Sequence, residues 1–116
     1  MSELATQRDA ELLVQLLRWG TEMGTEEAYR EIFSDEFDKE EASVMNTSVG
    51  RLLVYGETVG TLVKHGLLDR DLLNDLWASY VIWERVGPAA LRAREEAGDP
   101  RIYENFEALA KASPHK

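Results

Sequence analysis

Five carboxylates and two histidines are the residues of this chain whose types and spacing could support chemistry. Glu57 sits among apolar neighbours in VYGETVGTLV, and Glu84 follows Trp83, seven residues past Trp77 and four past Tyr80. A half-buried glutamate needs a partner, and it becomes a general acid only if burial raises its pKa without supplying one. Arg85, Arg92 and Arg94 lie close enough in sequence to provide that partner after a chain reversal. Glu57, Glu84, Arg85, Arg92 and Arg94 are therefore expected to form structural ion pairs. An enzyme built on Glu57 or Glu84 would need at least three inward-facing carboxylates or histidines.

His65 stands beside Gly66 and His115 near the C-terminus, and neither follows a glutamate by three residues, as the di-metal helical bundles require. His65 at a helix end fits a cation placed against the helix dipole. Asp69, Asp71 and Asp75 have a calcium-like spacing, but the loop lacks the glycine and the terminal glutamate of a calcium-binding loop. The glycines Gly50, Gly56 and Gly60 are not accompanied by the strand, lysine and hydroxyl of a phosphate loop. With no cysteine, thiolate metal sites, disulfides and thiol catalysis are excluded. The residues point to no cofactor, no metal and no enzyme.

The remaining candidate site is a group of large side chains. Trp77, Tyr80 and Trp83 recur at helical spacing and, with Glu57, could line a pocket or an interface.

The elements that must position these residues all read as helices. Apolar residues recur at intervals of three and four, and no alternating strand pattern occurs. A first helix is expected over Arg8 to Met23, broken by Gly24. Thr25 then caps a short second helix through Phe33, followed by a turn from Ser34 to Phe37. Asp38-Lys39-Glu40-Glu41 resembles a capping box, placing the start of a third helix there, with its end at Lys64 before Gly66. Met45, Val49, Leu52, Gly56, Val59 and Val63 form a seam along it. Glycine inside a helix costs about 1 kcal/mol relative to alanine. Two on the packed side predict that a Trp or Tyr of a neighbouring helix comes close. Asp69 should cap a fourth, central helix running through Trp83 to Gly87-Pro88. A fifth segment spans Pro88 to Ala97, and a last helix opens at Asp99-Pro100.

The expectation is one all-α domain over residues 1–116, a compact antiparallel bundle of about four to six helices, with residues 1–7 and 113–116 as flexible tails. The third and fourth helices stand at its centre.

Charge narrows the partners. The net charge of −9 is concentrated in residues 1–41, which hold 12 acids against 4 bases. Such a surface repels phosphate, so nucleic acid is not an expected partner. No apolar run is long enough to span a bilayer and the N-terminus has no signal-peptide pattern, so no membrane insertion and a cytoplasmic location are expected.

Beyond these features, Tyr55-x-Glu57, Val63-x-x-Gly66-Leu67-x-Asp69, Leu72-Leu73, Trp83-Glu84, Arg94 and Tyr103-Glu104-Asn105-Phe106-Glu107-x-Leu109 resemble a bacterial family known only as a domain of unknown function, number 4760. The resemblance covers about half the chain, Val54 to Ala110; the N-terminal part shares only helical character. It implies a small all-helical protein. Many members carry a membrane segment ahead of the domain; the residues here hold no apolar run of that length, so a membrane-proximal role is not expected. The family has no established activity, so the resemblance implies no catalytic residues. It does single out Glu57, Trp83, Arg94 and the run Tyr103–Glu107.

Together these readings favour a non-enzymatic helical module that binds another protein or itself, the latter as a homodimer. The alternative is a small-ligand-binding or sensor domain with a pocket between the third and fourth helices.

Overall fold

The computed structural model describes residues 4–112, which contain six helices and no strand. Helix α1 spans Gln7–Met23, α2 Thr25–Ile32, α3 Thr47–Lys64, α4 Arg70–Leu76, α5 Ser79–Ala97 and α6 Glu104–Lys111. The all-α bundle expected from periodicity is the fold observed.

Helix α1 begins with a reciprocal cap. The Thr6 hydroxyl accepts from Asp9 N at 3.2 Å, and the Asp9 carboxylate accepts from Thr6 N at 2.8 Å. The expected N-terminal tail of residues 1–7 is therefore too long, because Thr6 and Gln7 belong to the helix start. Residues 1–3 and the expected tail 113–116 lie outside the described residues. Gly24, left-handed at φ 88°, ends α1 and precedes α2. Thr25 is not the cap expected of it: it is buried and donates its hydroxyl to Gly20 O at 3.0 Å.

Helix α3 starts eight residues later than the Asp38 box implies, with Asn46 rather than Asp38 as its cap. The Asp38 carboxylate accepts from Glu40 N, a local turn that competes with a helix start. The carbonyls of Lys39 and Ala42 are taken by Arg92 of α5. Asn46 caps α3 instead, accepting from Val49 N at 3.0 Å. Met45, first on the predicted seam, is consequently 85% exposed, whereas Val49, Leu52, Gly56 and Val59 are buried.

Asp69 caps α4 as expected, accepting from Leu72 N at 2.9 Å. The expected fourth helix then divides. Trp77 is extended at φ −120°, ψ 112°, and α5 starts at Ser79. That extended residue lets the Trp77 ring reach Tyr55 and Phe106, at 5.4 and 5.6 Å between ring centroids. The predicted stop at Gly87-Pro88 does not occur, and Pro88 lies inside the 19-residue α5. Gly87 has a local role there, since a Cβ would sit 2.6 Å from the Trp83 indole one turn earlier. Gly66 and Gly98 follow α3 and α5 in the left-handed conformation, as expected. The last helix starts at Glu104, not at Pro100, with Tyr103 before it at φ 56°.

Helix α3 is central, packing against α1, α2, α5 and α6. Val49, Leu52 and Leu53 join Ala28, Ile32, Ile82, Val86 and Phe106 in one core. Tyr55 and Val59 join Leu13, Leu16, Leu68, Leu73 and Leu109 in a second, and Trp77 packs on both. The predicted central fourth helix is thus central only in its α5 portion. The short α4 places one fully buried residue, Leu73, in the second core.

Candidate functional site

The residues of greatest chemical interest meet where α6 docks on α3 and α5. Helix α6 has only eight residues, too few to be stable without its surroundings. Its first N–H groups need an acceptor, and left-handed Tyr103 supplies no side-chain cap. Glu57 of α3 supplies it. One carboxylate oxygen accepts from Asn105 N and Phe106 N, each at 3.0 Å, and the other accepts from the Asn105 side-chain amide at 2.9 Å. The same amide donates to Thr61 Oγ1 at 3.1 Å. A carboxylate at a helix N-terminus is also favoured by the dipole.

One helical turn apart on α3, Gly56 and Gly60 complete the dock. A Cβ at Gly56 would lie 2.3 Å from the Phe106 ring, and one at Gly60 would lie 2.4 Å from Asn105 O. The close approach predicted for these glycines is present, but the ring is Phe106 of α6, not a Trp or Tyr. Trp77 stacks on Phe106 at 5.6 Å and Trp83 meets it edge-on at 5.1 Å.

At the far side, Arg94 of α5 holds α6 through Glu107 at 2.8 Å, with both side chains largely buried, and donates through Nε to Ile102 O at 2.7 Å. Lys111 reaches the same carboxylate at 2.9 Å. Burial works against the Glu107 charge, but hydrogen bonds from Lys111 and Arg94 outweigh it and hold the carboxyl below the usual glutamate range.

Three of the four candidate pocket residues, Glu57, Trp77 and Trp83, therefore converge on Phe106, around a filled interior. Tyr80 is half-buried near the start of α5. The predicted ion-pair group does not assemble. Glu57 is taken up by α6 and pairs with no arginine. Glu84 is exposed and bonds Lys39 at 2.9 Å, which lowers its pKa. Arg85 donates to Ile32 O at 2.8 Å and lies over the Phe33 and Phe37 rings at 5.6 and 5.5 Å. Arg92, two turns on, donates to Lys39 O and Ala42 O. Arginines on this face of α5 thus pin the segment after α2, and only Arg94 meets a carboxylate. The sequence reading missed Asn105 and Glu107 as partners. The sequence carried no signal for them, because Asp99-Pro100 reads as an ordinary cap and helix start and hides the need of the real start at Glu104 for a remote acceptor.

The open spaces lie elsewhere. A groove of about 860 Å³ runs between the start of α1 and the α3–α4 connection, lined by Arg8, Leu12, Val63, Leu67 and Arg70 among others. Another of about 500 Å³ lies beside Gly60, Lys64, Glu104 and Ala108. Among the described residues, no group of three or more histidines and carboxylates is arranged to hold a metal ion. No helix there is long and apolar enough to cross a membrane.

A family model described as "Domain of unknown function (DUF4760)" matches residues 4–113. The chain belongs to the DUF4760 family. The match is wider than the C-terminal resemblance, taking in α1 and α2 as well. No curated protein and no solved structure matches the chain. Of the residues that the DUF4760 resemblance singled out, Glu57, Trp83, Arg94, Asn105, Phe106 and Glu107 meet in one physical task, the docking of α6, while Glu104 pairs locally with Arg101.

Proposed function

We propose that the chain is a non-enzymatic helical module that acts by protein–protein contact, with a second copy of itself or with another protein. One observation carries this reading. Glu57, Trp77 and Trp83, the candidates for chemistry or a pocket, are engaged in internal packing, while Val14 and Leu17 stand exposed on one face of α1. A cytoplasmic setting fits the lack of cysteine.

A small-ligand reading draws support from one place, the groove beside the start of α1, where arginines and leucines face the same space. The interior between α3 and α5 offers it nothing, being filled by Phe106.

Light scattering behind a size-exclusion column, over a concentration series at low and high salt, tests the self-association form of the proposal. The expected outcome is a mass that rises with concentration. A chain that remains monomeric throughout, and whose unfolding temperature rises with a small molecule in a thermal-shift screen, would transfer the function to the groove.

A further inference from the structure

We propose that α1 is a homodimerisation helix, pairing antiparallel with α1 of a second copy; this rests on the self-association reading and names its surface. A surface helix of a monomer needs one apolar stripe, facing the core. Helix α1 has two. Leu13, Leu16 and Gly20 face inward and are buried. Away from them, Gln7, Ala10, Val14, Leu17 and Thr21 are all exposed and are spaced by three, four, three and four residues, the repeat of a helix–helix seam. Val14 is 59% exposed and Leu17 44%.

Charge selects both the partner and its direction. Glu11 and Arg18 flank the seam on the same side, seven residues apart, and among the described residues neither forms an intramolecular ion pair. A parallel pairing would set the Glu11–Arg18 flank of one copy across from the opposite flank of the other, so the two charges would not meet. A twofold axis passing between Val14 and Gln15 sets Glu11 against Arg18 of the second copy, and repeats that pair by symmetry. The same axis brings the Val14 and Leu17 side chains of the two copies into one seam. Residues 24–41, by contrast, hold 8 acids against 2 bases, so copies meeting through α2 would repel. Helix α1 carries 3 acids against 2 bases, so two copies of an acidic chain meeting through it would repel far less.

The seam is short. Seventeen residues of helix span about 25 Å, which places the contact among small, reversible interfaces. The dimer is therefore expected to form with rising concentration.

Sedimentation velocity on the full chain, over a concentration series at low salt, supplies the test. The mass should climb from 13.2 kDa toward twice that value. Leu17→Glu and Val14→Glu should each weaken association at least about tenfold, equivalent to about 1.4 kcal/mol. Glu11→Arg and Arg18→Glu should each weaken it, and the double variant should restore it. These positions are exposed and the introduced residues are good helix formers, so circular dichroism should report an unchanged fold. A dimer indifferent to Val14→Glu and Leu17→Glu would overturn the α1 surface while leaving self-association standing. A double charge variant no better than the singles would overturn the antiparallel pairing. A monomer at every concentration would overturn the dimer and the self-association reading together.

Discussion

Glu57 and Asn105, 48 residues apart, are joined twice, through the Asn105 backbone N–H and through its side-chain amide. Helix capping is ordinarily a local matter, settled by a side chain just before the first turn. Here the acceptor comes from the middle of another helix. The start of α6 thereby becomes a tertiary contact, and local helix formation and global packing are made dependent on each other.

Removing that acceptor should detach α6 first. Glu57→Ala leaves two backbone N–H groups and a side-chain amide without their acceptor, at a cost of about 2–3 kcal/mol. Hydrogen exchange should accelerate most in residues 104–111, with α1 and α2 much less affected. Uniform acceleration across all six helices would show that the bond does not act as a local fastening.

Gly56→Ala raises helix propensity by about 1 kcal/mol, yet it should destabilise the protein. The new methyl would lie 2.3 Å from the Phe106 ring. Overpacking of this kind typically costs about 1–3 kcal/mol. In urea denaturation, Phe106→Leu should cost less in the Gly56→Ala background than in the native chain, because the two sites share one space. Strict additivity would mean that ring and glycine do not meet.

Acid should loosen the same dock. Glu107 binds its proton less tightly in the folded chain than in the unfolded one, where the ordinary value is 4.5. Its contribution is complete above that value and is lost as pH falls through the lower folded pKa. Thermal unfolding followed from neutral pH downward should show a fall in stability below about pH 5. Glu107→Gln should make that fall shallower while lowering stability at neutral pH. An unchanged acid limb would place the responsible carboxylate elsewhere, with Glu31, lowered by hydrogen bonds from Ser48 and Asn46, as the first alternative.

Tyr55 governs the alkaline side. Burial, and secondarily Tyr29, push its phenol from 10.0 to about 12. The folded chain thus retains this proton where the unfolded chain releases it, and stability should decline as pH rises across that interval. Phenolate absorbance should show two of the four tyrosines, Tyr29 and Tyr55, titrating above the ordinary value, with Tyr55 the latest. Tyr55→Phe should remove the latest step and, by deleting the bond to Leu16 O at 2.8 Å, cost about 1 kcal/mol at neutral pH.

The features legible in the sequence were those decided within a few residues. Asp69 caps α4 and Gly66 and Gly98 terminate helices because side-chain reach and left-handed backbone are local properties. Asp38 misled because the same short side chain that caps a helix also closes a turn, and the choice was made by Arg92 arriving 53 residues later at Lys39 O. The break at Trp77 goes with what its ring touches, Tyr55 and Phe106, which periodicity does not encode. The close approach at Gly56 and Gly60 was readable from two glycines in a helix interior. Its identity as Phe106, like the partner of Glu57, depended on the path of the chain between α3 and α6.

The placement of α6 also bears on the order in which the protein is made. Phe106 closes one core and Leu109 the other, so both must await the last helix of the fold. A ribosome delivers residues at about 5–20 per second. For the seconds in which α3 has emerged and α6 has not, Val49, Leu52, Tyr55 and Val59 have only part of their cover. The nascent chain is most open to proteases, chaperones or another nascent copy during that interval, and the interval ends when Asn105 reaches Glu57.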